Sequence, residues 1–177
     1  MRVALVAAIN AQLVLTGAGL EQRPVPDPMP PGAATEIFDD WAMVCGLAAG
    51  GANERLCEVT TTITASGQPV PVARIAFIRQ RNGKPMRVLA VVPGAVSIAP
   101  GVTLAAIAGY PSINLIYKFC VPNMCTAEGA LGEEQTQKFR DQAQTGHLAF
   151  RDPSGKEIDV EVSFKGFDQA LDALFKH

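Results

Sequence analysis

The sequence predicts a mainly β protein, a β-sandwich with one short surface helix and one C-terminal amphipathic helix. Two observations carry that expectation. About nine short runs rich in Val, Ile, Thr and aromatic residues are separated by turn signals at nearly even spacing. Only two stretches have helical periodicity, so strands and helices do not alternate as they would in a parallel α/β protein. At 177 residues the chain suits one domain and a leader.

The first 19 residues read as a secretory signal peptide: one positive charge at Arg2, a short apolar stretch, then small residues up to Gly19 and no acid before Glu21. Asn10 and Gln12 interrupt the apolar run, which is too short and too polar for a spanning helix. Cleavage is expected near Ala18 or Gly19. Residues 20–36 carry Pro24, Pro26, Pro28, Pro30 and Pro31, which remove backbone donors and hold the chain extended. This segment is expected as a linker outside the fold, and the domain proper as 37–177.

Within the domain, residues 37–45 read as one strand in which Trp41, Met43 and Cys45 alternate, with the single Trp pointing inward. Strands follow at 56–65, 70–80 and 86–92, the last two joined across Arg81-Asn82-Gly83-Lys84, in which Asn-Gly is a strong hairpin signal. Pro93-Gly94 and Pro100-Gly101 bound short strands at 96–99 and 102–108. The apolar run 113–119 feeds Cys120-Val-Pro-Asn-Met-Cys125, where Pro122 and Asn123 supply turn chemistry. Folding back there sets Cys120 opposite Cys125 at about 4.5 Å between Cα atoms, a span a disulfide bridges.

Residues 133–143 are polar, with Phe139 and Ala143 on one face, and read as the surface helix. Strands at 147–151 and 156–164 flank the turn Asp152-Pro153-Ser154-Gly155. In the second, Ile158, Val160, Val162 and Phe164 alternate with Asp159, Glu161 and Ser163, giving one core face and one wet face. Phe167, Ala170, Leu171, Leu174 and Phe175 then recur at helical spacing, and a helix this short must dock its apolar stripe on the sheets.

Four cysteines in an exported chain imply two disulfides, with three connectivities open. Locality favours Cys45 with Cys57 and Cys120 with Cys125; cross-pairing between sheets is the alternative. A four-cysteine zinc site fits poorly, because eleven residues separate Cys45 from Cys57. Thiol–disulfide exchange at Cys120 and Cys125 is a rival reading, though their spacing departs from Cys-x-x-Cys at a helix N-terminus. No metal and no cofactor is expected.

Other chemistry is sparse. The two histidines, His147 and His177, are far apart in sequence and do not suggest a triad. The adjacent acids Asp39-Asp40 and Glu133-Glu134 read as solvated turn and helix-start residues. A formal net charge of −2 gives no nucleic-acid footprint and no polybasic membrane anchor. One local feature stands apart: Arg79, Arg81, Lys84 and Arg87 make the Asn82-Gly83 hairpin basic, a candidate contact for phosphates, lipid A or an acidic partner.

Several pieces in order resemble one family. Phe38-Asp39-Asp40-Trp41 with Cys45 four residues on, Cys57-Glu58-Val59, the Cys120 to Cys125 hairpin continuing into Thr126-Ala127-Glu128, and Val162-Ser163-Phe164-Lys165-Gly166-Phe167-Asp168-Gln169-Ala170-Leu171 are similar to the exported bacterial proteins of the invasion-associated locus B family. The resemblance spans about 37–175. It implies an immunoglobulin-like β-sandwich in a periplasmic or outer-membrane-associated protein, with the four cysteines structural. It brings no catalytic residues. The expected role is non-catalytic binding or structural support in the cell envelope, toward a protein or other envelope component. The alternatives are the thiol exchanger and a secreted adhesin acting through the basic hairpin.

Overall fold

The computed structural model describes residues 19–24, 33–47, 55–66, 70–80, 83–106, 111–142 and 144–177. The first 18 residues, where the leader is expected, and Arg81 and Asn82 of the basic hairpin lie outside them. The fold is mainly β, as expected. Eleven strands form one antiparallel, curled sheet: β1 (Leu20–Arg23), β2 (Ala34–Phe38), β3 (Trp41–Leu47), β4 (Arg55–Ala65), β5 (Pro71–Ile78), β6 (Met86–Pro93), β7 (Val102–Ala106), β8 (Ser112–Val121), β9 (Met124–Leu131), β10 (Thr145–Arg151) and β11 (Glu157–Ser163). Helix α1 (Glu133–Gln142) follows β9, and α2 (Phe167–Lys176) follows β11.

The hydrogen-bonded order is β11-β10-β7-β8-β9-β6-β5-β4-β3-β2. The two parts of the sheet are linked through β8, whose first half pairs with β7 (Leu104↔Ile113) and whose second half pairs with β9 (Cys120↔Cys125). That arrangement is compatible with a sandwich.

Period-two patterning explains the core. In β6, Met86, Val88, Ala90 and Val92 are buried while the residues between them are half-buried. Register places Phe77 and Ile75 of β5 beside Val88 and Ala90, and Ala127 and Cys125 of β9 beside Ala90 and Val92, so one apolar row crosses three strands. At one end Trp41, fully buried, lies 5.7 Å from Phe77, 5.6 Å from Phe164 and 4.8 Å from Phe167 between ring centroids. Phe167, Ala170, Leu171 and Leu174 bury the stripe of α2 against this cluster.

Three local expectations are corrected. The segment 20–36 is not wholly outside the fold: its ends are β1, paired with Thr62–Ala65 of β4, and β2, paired with β3. Leu20–Arg23 and Ala34–Phe38 contain no proline and keep every backbone donor, so they can add to a sheet. Residues 37–45 are not one strand. The chain reverses at Asp39-Asp40, with Phe38 facing Trp41 and Asp39 at φ 49°, a conformation that Asp tolerates through its short polar side chain. Residues 96–99 form no strand.

The far ends of the sheet meet at Ser163. The Gln22 carboxamide donates from Nε2 to the Ser163 carbonyl at 2.9 Å and accepts the Ser163 N–H on Oε1 at 2.8 Å, standing in for a strand neighbour. Trp41 Nε1 donates to the same carbonyl at 2.8 Å, and Ser163 Oγ donates to Asp40 Oδ2 at 2.6 Å. Every polar group of that strand end is satisfied.

Candidate functional site

The site is a cleft of about 1060 Å3 between the β5–β6 loop, the start of β4, the start of α1 and the end of α2. Its charged lining is Arg55, Arg79, Lys84, Arg87 and Arg140 against the carboxylate of Glu133. Three of the four basic hairpin residues expected from the sequence, Arg79, Lys84 and Arg87, are therefore brought to one wall. Arg81 lies outside the described residues.

These cations are not equivalent. Arg87 Nε lies 3.0 Å from Glu128 Oε1 on the neighbouring strand. Arg140 reaches from α1 to α2, with hydrogen bonds of 2.6 Å to Asp168 Oδ1 and 2.6 Å to Asp172 Oδ1, and ties the two helices together. Arg79 donates from Nη1 to the Phe175 carbonyl at 2.9 Å, and its guanidinium carbon sits 5.5 Å from the Phe175 ring centroid. Both contacts satisfy the last turn of α2 without cancelling a full charge. Among the described residues Arg55, Arg79 and Lys84 form no ion pair, so they are the cleft cations left without a paired carboxylate there, with the Glu133 carboxylate on the same lining.

Sequence reasoning missed Arg55 and Arg140, which come from elements far from the hairpin in sequence. They are assembled where α2 packs on β2, β3 and β4 and α1 packs beside β9. His177 also lines the cleft, next to Cys57.

Both disulfides join residues directly opposed on paired strands. Cys45 of β3 faces Cys57 of β4, and Cys120 faces Cys125 across the β8–β9 hairpin, each pair at 4.0 Å between Cα atoms. The local pairing is the one present, and no free cysteine remains. The Cys120–Cys125 pair sits on strands, not at a helix N-terminus. Sγ of Cys45, Sγ of Cys57 and a ring nitrogen of His177 lie within 4.8 Å of one another.

The remaining residues singled out from the sequence serve structure. Asp39 pairs with Lys165 at 3.1 Å, Asp40 accepts from Ser163, and Glu134 pairs with Lys138 at 2.8 Å along α1. His147 of β10 faces Asp159 of β11 at 3.0 Å on the exposed side.

The family model for Invasion associated locus B (IalB) protein matches residues 41–175, most of the chain and nearly all of the folded part. The chain belongs to the IalB family. Its fold matches the crystal structure of invasion associated protein b from Bartonella henselae with a TM-score of 0.68 and 19% sequence identity, covering 81% of this chain and 96% of that one. No curated protein matches the chain by sequence.

Within this IalB domain the Lys165-Gly166-Phe167 lead-in to α2 has a physical basis. Gly166 has φ 86°, and a Cβ there would overlap the carbonyl oxygen of Phe38. The β2–β3 turn and the start of α2 are thus in backbone contact, which sets Phe167 onto Trp41. Among the described residues, no helix is long and apolar enough to cross a membrane.

Proposed function

We propose that this IalB-family chain is an exported, non-catalytic protein of the cell envelope that binds a phosphate-bearing lipid headgroup in the cleft beside α2, and so associates peripherally with the outer membrane from the periplasm. One observation carries the reading: Arg55, Arg79 and Lys84 line one open cleft, and among the described residues none of them is ion-paired. Anionic headgroups are attracted by such a cluster, and Arg is suited to bidentate contact with phosphate. Export is supported by the leader-like residues 1–19 and by two disulfides. Cleavage after Gly19 would leave β1 intact from Leu20 onward.

The test is co-sedimentation with phosphatidylcholine vesicles with and without phosphatidylglycerol. The protein should bind only the anionic vesicles, less so as salt rises, and a variant carrying Arg55→Gln, Arg79→Gln and Lys84→Gln should lose binding while remaining folded by circular dichroism. Binding by the folded triple variant equal to wild type refutes the site. The family's invasion-associated name and that of the Bartonella henselae protein favour a second reading, an adhesin using the same basic wall. Charge-dependent attachment to host cells without vesicle binding would select it.

A further inference from the structure

The buried Cys45, with Cys57 and His177 beside it on the cleft wall, points beyond lipid binding: we propose that the Cys45–Cys57 bridge locks a metal site, and that its reduction frees Cys45 Sγ, Cys57 Sγ and the His177 imidazole to bind one borderline-soft cation of the Zn2+ class. The donors already lie within 4.8 Å of one another. Tetrahedral zinc, with sulfur at about 2.3 Å and nitrogen at about 2.0 Å, sets its ligands roughly 3.5 to 3.8 Å apart. Small side-chain rotations close the difference.

The scaffold that positions these groups does not depend on the bridge alone. Cys45 and Cys57 are register partners in the β3–β4 ladder, with hydrogen-bonded strands on both sides of β4. Leu171 and Leu174 anchor α2 in the core, and Arg79 holds the Phe175 carbonyl, which leaves His177 beside the bridge. Cys57 and His177 face the cleft, so an ion has a route in. The sequence separation of Cys45 and Cys57, unlike that of a zinc knuckle, is immaterial because strand pairing makes them neighbours. The Cys120–Cys125 pair has no comparable third donor among the described residues.

The chemistry balances with a dithiol as reductant. The dithiol gives up two electrons and two protons and becomes a disulfide; the Cys45–Cys57 S–S bond breaks, and both sulfurs become thiols. Cation binding then displaces those two protons, leaving two thiolates and one neutral imidazole on the metal and a fourth position for water. While the bridge is closed neither sulfur is a thiolate, so the oxidised protein has no such site.

In a Cys120→Ser, Cys125→Ser background shared by every variant compared, so that Cys45–Cys57 is the one bridge, protein reduced with dithiothreitol and freed of it anaerobically is titrated with Co2+, then with Zn2+ in competition. Thiolate-to-cobalt charge-transfer absorption should saturate at about one ion per chain, be absent from the oxidised protein, and require about tenfold or more cation in His177→Ala. Zn2+ should raise the Tm of the reduced background protein more than that of reduced His177→Ala. His177 is exposed and follows the last helix, so its replacement leaves the fold intact for comparison. Equal affinities for the background protein and His177→Ala, absence of thiolate absorption, or absorption that persists in Cys57→Ser would each overturn the proposal.

Discussion

Trp41 is where the two ends of the sheet and α2 converge, and its replacement separates packing from hydrogen bonding. The ring is fully buried and contacts three aromatic rings, while Nε1 donates to Ser163 O. Burying an indole removes about 250 Å2 from water, or roughly 6 kcal/mol at 25 cal/mol per Å2; measured losses for Trp→Ala are lower, about 3 to 5 kcal/mol, as sites partly collapse. Trp41→Ala should fall in that lower range. Trp41→Phe keeps most of the contact area and should cost less, about 1 to 2 kcal/mol, including the lost hydrogen bond. That loss stays small because Ser163 O still accepts from Gln22 Nε2, so no buried acceptor is orphaned. Since Trp41 is the only tryptophan, urea unfolding must be followed by circular dichroism rather than indole fluorescence. A Trp41→Ala loss under about 1 kcal/mol at unchanged m would refute the closure argument and place the ring at a surface.

Four further outcomes are expected. Gly166→Ala should lose about 1 to 2 kcal/mol from the left-handed backbone alone, and more from the Phe38 carbonyl; wild-type stability by urea titration would contradict the close approach. Gln22→Ala should lose about 1 to 3 kcal/mol with its two bonds to Ser163, and unchanged exchange protection of the Ser163 amide would show that β1 does not close the sheet. Replacing Cys120 and Cys125 by Ser should cost about 2 kcal/mol by chain entropy, against about 3 kcal/mol for Cys45 and Cys57 with their longer loop; a reversed order in thermal unfolding would contradict the loop-length account. Finally, burial raises the Glu58 carboxyl above its ordinary 4.5, with Arg74 opposing it. The folded state then holds this proton more tightly than the unfolded chain, so stability falls as pH rises from about the ordinary value through the raised one. Glu58→Gln should remove that decline in urea midpoints between pH 4 and 7, and a parallel pH dependence in both proteins would show that Glu58 is not its source.

The sequence by itself determined the mainly β class, both helices and most strand positions, and it favoured the local disulfide pairing without excluding the other two. These depend on short-range signals: period-two burial in β6 and β11, the helical stripe of α2, and Pro-Asn turn chemistry at the β8–β9 tip. A two-residue reversal at Asp39-Asp40 was illegible, because apolar residues on both sides mimic one continuous strand. Strands β1 and β2 were hidden by the prolines between them, whose composition dominates the segment. The basic hairpin could be read as a feature, but not as one wall of a cleft. Tertiary structure alone decided that Gln22 and Trp41 meet at Ser163, that Arg55 and Arg140 join Arg79 and Lys84, and that His177 comes to rest beside Cys57. Contacts of this kind follow from how the curled sheet and docked helices bring distant residues together, and no local periodicity encodes that.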